Sequence, residues 1–556
     1  MDLLEGRRYK SRKQRPCDAC RRRKTCCVRE PGSVNCKLCI SRSRDCRFES
    51  VPKVRPGRSP KNRFATGSTM LSTEQAQFVP ATREQMTASS KNSTWRMQHV
   101  GLSSDQDPWV FQHCSFNDLD YFRRPDWVVP DNDVDTKPPN YPAPTFDALA
   151  GSHERALLRS YFGIINAAFP LFDPARFASW HVENKLLRAA MFALATPFCQ
   201  EAKHIPLNEY HTFILQALPI DTRYPRLETV EAALLFFQRH TVLNSATTTP
   251  GEWSDVGSMV GMAQELALNI DPTPWNISKT DRNRRIRIWW AVYIQERWSA
   301  FALGRSPNLN EDYCTTPMIT LENFSNDGFG TTGVTLTSAC IFVGMAELTK
   351  ILSELIKKFY TIKGMGRLQA LTVQEFYAMV EDYDECLRVF QREHLEPLRD
   401  VDTILDSTGT IFLAFHTLEI VLCRGVLRNV NRENPGYSAF RWRARDVVKN
   451  VVMLLAKLKV NRLRAFWWSP ISRTSFAVAG SFMYSNLLAS VDDDEVEYWS
   501  SEVDRYRQLL EMHSFSFDIT KLAAARMSLL ASASQEYEES GANVGLWDIE
   551  SILKTM

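Results

Sequence analysis

No enzyme signature runs through these 556 residues: HExxH, GxSxG, a Walker phosphate loop and GxGxxG are all missing. Histidine is scarce, with ten in the chain, and the first of them is His99. No apolar run reaches the roughly twenty residues that a membrane span needs. TIFLAFHTLEIVLC comes nearest and is interrupted by His416, Thr417 and Glu419. The opening MDLLEGRRYKSRKQRP offers no apolar stretch to serve as a signal peptide. Residues 47–95 contain a single leucine, Leu71, beside Pro52, Pro56, Pro60, Pro80 and many Ser and Thr. These gaps argue against catalysis, a membrane location and export, and against a leucine-heptad coiled coil in that stretch.

What the sequence does have is concentrated near its start. Seven of its thirteen cysteines lie in CDACRRRKTCCVREPGSVNCKLCISRSRDC. Cys17, Cys20 and Cys27 are separated by two and then six residues, and Cys36, Cys39 and Cys46 repeat that spacing nineteen positions on. Cys26 stands outside the repeat, because its counterpart is Asp45. Zinc favours four tetrahedral ligands, so one ion would leave two thiolates over and two separate sites would need eight ligands. Six thiolates serve two Zn²⁺ only if two of them bridge, and no nearby histidine can supply the difference. A disulfide framework belongs to oxidising compartments. A thioredoxin-type CxxC would sit near a βαβ pattern, whereas charge surrounds Cys17 and Cys20. The reading is therefore two Zn²⁺ per chain.

The overall charge of +3 hides a division. Residues 1–63 hold 20 Lys and Arg against 6 Asp and Glu, a net of +14, while 64–556 hold 47 against 58, a net of −11. Six cysteinates and two zincs leave the first segment at about +12 by ligand-charge counting. Such concentrated charge suits a polyanion. Arg7, Arg8, Lys10, Arg12 and Lys13 also suit a nuclear-import signal, which is compatible with nucleic-acid binding. PKVRPGRSPK has the wrong order for a minor-groove AT-hook and reads as an extended basic arm on phosphates.

CDACRRRKTCC…CKLC…C resembles the fungal zinc binuclear cluster (Zn₂Cys₆) family of transcription regulators at all six ligand positions, Cys17, Cys20, Cys27, Cys36, Cys39 and Cys46. The resemblance implies a small module of two short helices and irregular loops. It further implies that Cys17 and Cys36 bridge the metals and that the helix Arg21 to Cys26 enters the DNA major groove. Lys24 then takes the position that reads a CGG triplet, a cation donating to guanine O6 and N7, with Arg23 beside it on a base or phosphate. Arg15, Arg21, Arg22, Arg42 and Arg44 are assigned to phosphates, which set register and salt-dependent affinity. Many members carry Lys or Arg where this chain has Cys26, which reads as a spare thiol costing one phosphate contact.

From about 147 the composition is that of a folded domain. Apolar residues recur at helical spacing in ERALLRSYFGIINAAF, NKLLRAAMFALATPF, VEAALLFFQRH, VGSMVGMAQELAL, VTLTSACIFVGMAELTKILSELIKKF and RARDVVKNVVMLLAKL, and period-two runs are scarce. An all-α array of roughly a dozen or more helices follows. Residues 263–310, with Trp289-Trp290, Tyr293, Ile294, Arg297 and the Gly304-Arg305 turn, are similar to the core signature of the fungal-specific transcription factor domain. Glu296 stands where Asp is common, and Ser306 separates Arg305 from Pro307. Ile286, Trp289, Trp290, Tyr293, Ile294, Trp298 and Phe301 form one apolar stripe, leaving Arg284, Arg285 and Arg287 to face outward. Cys199, Cys314, Cys340, Cys386 and Cys423 read as small buried hydrophobes, and His416 as a satisfied core residue.

The expected organisation is a basic arm over 1–16 with a candidate nuclear localisation signal, a Zn₂Cys₆ DNA-binding domain over 17–47 and a mostly disordered linker over 48–146. An all-α regulatory domain over 147–532 follows, then an acidic and hydrophobic tail over 533–556 as a candidate activation segment that folds in a coactivator groove. The resemblance implies a nuclear transcription activator or regulator of RNA polymerase II genes in a metabolic or secondary-metabolite pathway. Its partners are double-stranded DNA, coactivators and, in some members, a small-molecule effector. The chain is monomeric on DNA or dimerises through the helical domain. Two rival readings are a coregulator that needs no cluster of its own and a helical enzyme with an attached zinc module.

Overall fold

The computed structural model describes residues 17–22, 27–28, 33–47, 95–99, 126–130, 141–177, 182–223, 225–239, 251–324, 333–401, 403–430 and 435–540. The chain divides into two compact units, residues 1–79 and 80–556.

The first unit is built on two short helices, α1 (Asp18–Arg22) and α2 (Lys37–Ile40). Each begins one residue after the first cysteine of its triplet, so the nineteen-residue repeat is also a repeat of structure.

The second unit begins with two strands in the stretch expected as linker. β1 (Trp95–His99) and β2 (Asp126–Pro130) pair antiparallel, with Trp95 opposite Pro130. Sixteen helices follow among the described residues: α3 (Phe146–Ala150), α4 (Glu154–Ser160), α5 (Lys185–Ala195), α6 (Leu207–Asp221), α7 (Leu227–Phe237), α8 (Glu252–Glu265), α9 (Lys279–Leu303), α10 (Gly333–Phe359), α11 (Ile362–Gln369), α12 (Val373–Phe390), α13 (Gly409–Asn429), α14 (Pro435–Ala456), α15 (Val460–Leu463), α16 (Ser469–Leu488), α17 (Asp493–Ser514) and α18 (Lys521–Ser540). Single π-turns at Tyr161–Ile165 and Gln391–Leu395 extend α4 and α12.

The helix starts follow from local chemistry. Asn184, Ser278, Thr361, Thr372 and Asp492 each accept a backbone N–H of the first turn that has no partner within the helix. Thr372 and Glu375 complete a reciprocal capping box. At the other end of α9, Gly304 takes φ +61° and lets Arg305 donate back to the Ala300 carbonyl at 2.9 Å. This is the turn expected at Gly304-Arg305.

Two apolar cores result. The larger gathers side chains from α3 through α13, and the smaller gathers α13, α14, α16, α17 and α18. The Trp468 indole ties distant parts of the chain together by donating to the Ala168 carbonyl at 2.9 Å. α9 is the hub, packing on α7, α8, α10 and α16.

That crowding overturns one expectation. α9 is wrapped on all sides, so its arginines do not face outward. Arg287 is 3% exposed and donates to the carbonyls of Leu171 and Asn323. Arg284 forms a fork on Glu231 at 2.7 Å and reaches Glu228 at 2.8 Å. Arg285 donates to the Leu266 carbonyl and lies over the Trp275 ring. A buried guanidinium survives because its N–H groups and its charge are met in this way. Glu296 is fully buried, pairs with Arg297 and accepts the Asn308 N–H at 2.5 Å, pinning the turn after α9.

Three smaller differences appear. Cys199 and Cys423 are buried as expected, but Cys314 and Cys340 are half-buried and Cys386 is exposed, because it lies on the solvent side of α12. The apolar segment near 410–423 belongs to the 21-residue α13, which is long and apolar enough by composition to cross a bilayer. It is mostly buried against α10, α14 and α16, as a core helix is. α18 runs to Ser540, so the first residues of the expected tail continue a helix, and 541–556 lie outside the described residues. His416 is half-buried and meets Glu419 at 2.7 Å.

Candidate metal centre and nucleic-acid interface

Within the first unit the six repeat cysteines form two groups of four sulfurs. One is Cys17, Cys20, Cys27 and Cys36, and the other is Cys17, Cys36, Cys39 and Cys46. Cys17 and Cys36 belong to both. In each group the four sulfurs lie within 4.8 Å of one another. The Cys17–Cys39 and Cys20–Cys36 separations are both 3.7 Å, and Cys17–Cys36 is 4.0 Å. A tetrahedral zinc with bonds near 2.3 Å has sulfur–sulfur edges of about 3.8 Å. All six thiols are free of disulfides. The donor set and its spacing fit the metal that the sequence implies.

The two halves are related by an approximate twofold exchange of the nineteen-residue repeat. Asp18 N–H donates to the Arg47 carbonyl at 2.9 Å, and its counterpart Lys37 N–H donates to the Val28 carbonyl at 3.0 Å. Cys17 N–H points to the Cys27 sulfur at 3.5 Å, as Cys36 N–H does to Cys46 at 3.0 Å. Each half therefore donates one backbone hydrogen bond to its own third cysteine and one to the other half.

The thiols of the cluster shift one another's protonation. Burial raises every thiol in the cluster. At Cys36 it is outweighed by the Cys39 N–H and by the thiols of Cys46, Cys39 and Cys20, which bring the group down to about 6. The Cys20 N–H and the thiols of Cys20, Cys39 and Cys46 lower Cys17 in the same way. Burial, reinforced by neighbouring sulfurs, holds Cys20 at about 12 and raises Cys39, Cys27 and Cys46. All six must lose their protons to ligate zinc, so metal binding at this cluster depends on pH.

Among the predicted DNA contacts, Arg42 and Arg44 are exposed just after α2. Ser43 between them takes φ +49°, and the Arg44 N–H closes the helix end on the Cys39 carbonyl at 3.0 Å. Both guanidinium-bearing residues are thus fixed to a cluster cysteine through the backbone. Arg21 and Arg22 complete the backbone of α1, and nothing is described of their side chains. Arg15, Arg23, Lys24 and Cys26 lie outside the described residues.

Sequence reasoning missed Asn35. Its Oδ1 accepts the Cys46 N–H at 2.9 Å, and its own carbonyl accepts the Ser33 hydroxyl at 2.8 Å. Asn35 orients a ligand without being one. The repeat puts Pro16 at the matching place, so the motif gave no signal for it.

Comparison with known proteins adds independent information. Residues 158–386 match the fungal specific transcription factor domain. The chain is 23% identical to an uncharacterised transcriptional regulatory protein of Schizosaccharomyces pombe, over 94% of this chain and 90% of that one. It is 22% identical to the transcriptional activator protein DAL81 of Saccharomyces cerevisiae over 70% of this chain, which covers 45% of DAL81. It is 24% identical to cutinase transcription factor 1 alpha of Fusarium vanettenii, over 31% of this chain and 20% of that one. No solved structure matches the chain.

Proposed function

We propose that the chain, whose residues 158–386 match the fungal specific transcription factor domain, is a nuclear, sequence-specific DNA-binding regulator of RNA polymerase II genes. The observation that carries this reading is the pair of four-sulfur groups sharing Cys17 and Cys36 inside a strongly basic segment. Cys17, Cys20, Cys27, Cys36, Cys39 and Cys46 would hold two Zn²⁺. These ions supply structural cross-links, with no open position for catalysis. The chain's own residues do the recognition. Lys24 reads guanine edges of a CGG-like triplet with Arg23 beside it, while Arg15, Arg21, Arg22, Arg42 and Arg44 hold phosphates.

The proposed organisation joins the DNA-binding module of 17–47 through a linker to the helical regulatory domain of 147–532. The stretch 533–556 recruits coactivators. DAL81 is a transcriptional activator by its name, which supports activation as the direction of control.

The test is a binding titration of the full chain on a CGG-containing duplex and on a scrambled duplex, with and without a zinc chelator. Preference for the CGG duplex that disappears on chelation supports the reading. A chain that binds both duplexes equally, before and after chelation, and still activates its promoter with the cluster cysteines replaced is instead a coregulator.

A further inference from the structure

The end of α10, the short helix α11 and the end of α13 meet in the second unit, where α11 packs on both longer helices. A Cβ at Gly364 would collide with the carbonyls of Lys357 and Lys358, so glycine is what lets α11 sit this close to the last turn of α10. The Thr361 hydroxyl donates to the Lys357 carbonyl at 2.9 Å and accepts the Gly364 N–H at 3.0 Å, which fixes the turn between the two helices. On the other side, Phe359 lies directly against Gly425 of α13. Arg424 donates to the Tyr360 hydroxyl at 3.2 Å, with its guanidinium 5.1 Å from the centre of that ring. Arg428 follows one turn later on the same face of α13.

This junction gathers six cations. Lys357, Lys358, Lys363, Arg367 and Arg428 are exposed, and Arg424 is half-buried. Between Glu354 and Glu375 the chain has no acidic residue. Among the described residues, the carboxylate paired with this group is that of Glu354, 3.6 Å from Lys357. Acids of α12 are engaged elsewhere, Glu375 on Thr372 and both Glu381 and Glu385 on Arg388. The C-terminal ends of α10 and α13 offset about half a charge each, so six cations less one carboxylate and two helix ends leave a local excess of about four. Residues 64–556 carry a net −11. The patch therefore opposes the sign of the sequence around it.

A second observation comes from α11 itself. Ile362, on its first turn, is 78% exposed. Helical spacing puts Ile362, Lys363, Gly366 and Arg367 on one outward face, opposite the buried Gly364 and Leu368. Glycine weakens a helix interior by about 1 kcal/mol relative to alanine. The approach of α10 accounts for Gly364, whereas a Cβ at Gly366 would meet nothing within 4 Å. The outward face is thus apolar at Ile362, bare at Gly366 and cationic at its rim.

We propose that this face docks a short acidic segment of a partner protein, one that carries aspartate or glutamate beside an apolar side chain. Its carboxylates meet Lys358, Lys363, Arg367 and Arg428, and its apolar side chain covers Ile362 where the bare backbone at Gly366 admits it. Two features favour a peptide over a nucleic acid. A phosphodiester backbone has no apolar group to cover Ile362. A duplex extending beyond the patch also meets the negative remainder of the domain, whereas charges further off than about 8 Å are largely screened from a short segment. The surface goes beyond the DNA-binding reading and does not depend on it.

The test is fluorescence anisotropy of a short labelled peptide, alternating glutamate pairs with leucine and phenylalanine, titrated with the full-length protein at several salt concentrations. Saturable binding that weakens as salt rises is expected, with polyglutamate of equal charge binding more weakly. Lys363→Glu combined with Arg367→Glu should weaken the peptide by about tenfold or more and flatten the salt dependence. Ile362→Ser should weaken it severalfold with the salt dependence unchanged, and helix content by circular dichroism should stay the same in each variant. Arg428→Gln lies on α13, so it reports on binding even if the α11 variants perturb their helix. Absence of saturable binding, equal binding of polyglutamate, or unchanged binding in both Arg428→Gln and the α11 charge reversal overturns the proposal. Variants that weaken a scrambled DNA duplex while leaving the peptide unaffected would make the occupant a nucleic acid and overturn it equally.

Discussion

Replacing Cys36 should do more damage to the metal centre than replacing Cys39, and the geometry says by how much. Cys36 belongs to both four-sulfur groups, so its loss leaves each with three sulfurs. Cys39 belongs to one group, and its loss leaves Cys17, Cys20, Cys27 and Cys36 complete. A structural zinc contributes about 10–16 kcal/mol of apparent binding free energy in small zinc-dependent modules. Losing one of its four thiolates should weaken a site enough for a weak chelator to empty it. The full-length wild type should carry two zincs, Cys39→Ser one and Cys36→Ser none, measured by elemental analysis after exhaustive dialysis against a weak chelator. Cysteine titration of the native proteins should rise in parallel, since released thiolates become reactive. Equal zinc content in the two variants, or one zinc in the wild type, would refute the sharing of Cys36.

Three further outcomes follow from the helical unit and the tail. Glu231→Gln removes the fully buried half of the carboxylate pair on Arg284, leaving Glu228; a loss of about 2–4 kcal/mol is expected, read as a lower urea midpoint at constant slope. Gly304→Ala meets no atom within 4 Å but must hold φ +61°, so it should cost about 1–2 kcal/mol from backbone strain alone, and Gly304→Asn should cost less. Residues 533–556 fused to an unrelated DNA-binding domain should activate a reporter in a host with compatible coactivators; silence would assign this stretch to packing on its own domain.

The cluster was legible because its information is in spacing. Two triplets offset by nineteen residues specify six ligands and exclude Cys26, and the same offset reappears in α1, α2 and their crossed hydrogen bonds. The helices α8 and α10 were legible because a buried face imposes a 3.6-residue period. α9 was read with its arginines outward because a helical wheel shows only one helix. The carboxylates that meet Arg284 come from α7, about fifty residues earlier, and the carbonyls that meet Arg287 come from the loop at Leu171 and the 3-10 turn Leu321–Phe324. Asn35 escaped notice for a related reason: its partner is a backbone N–H, which sequence does not distinguish from any other. The β1–β2 pair left no period-two signature strong enough to separate it from the polar stretch around it, and the exposure of Cys386 depends on which face of α12 the core covers.

Sequence specificity in the proposed function rests on Lys24. Full-length wild type and Lys24→Ala should be titrated against CGG-containing and scrambled duplexes at several salt concentrations, with zinc content confirmed equal. Lys24→Ala should cost about 1–3 kcal/mol on the CGG duplex and much less on the scrambled one, whereas Arg42→Ala or Arg44→Ala should weaken both and lower the salt slope by about one. Equal weakening of both duplexes by Lys24→Ala would make Lys24 a phosphate contact and contradict base reading by this helix.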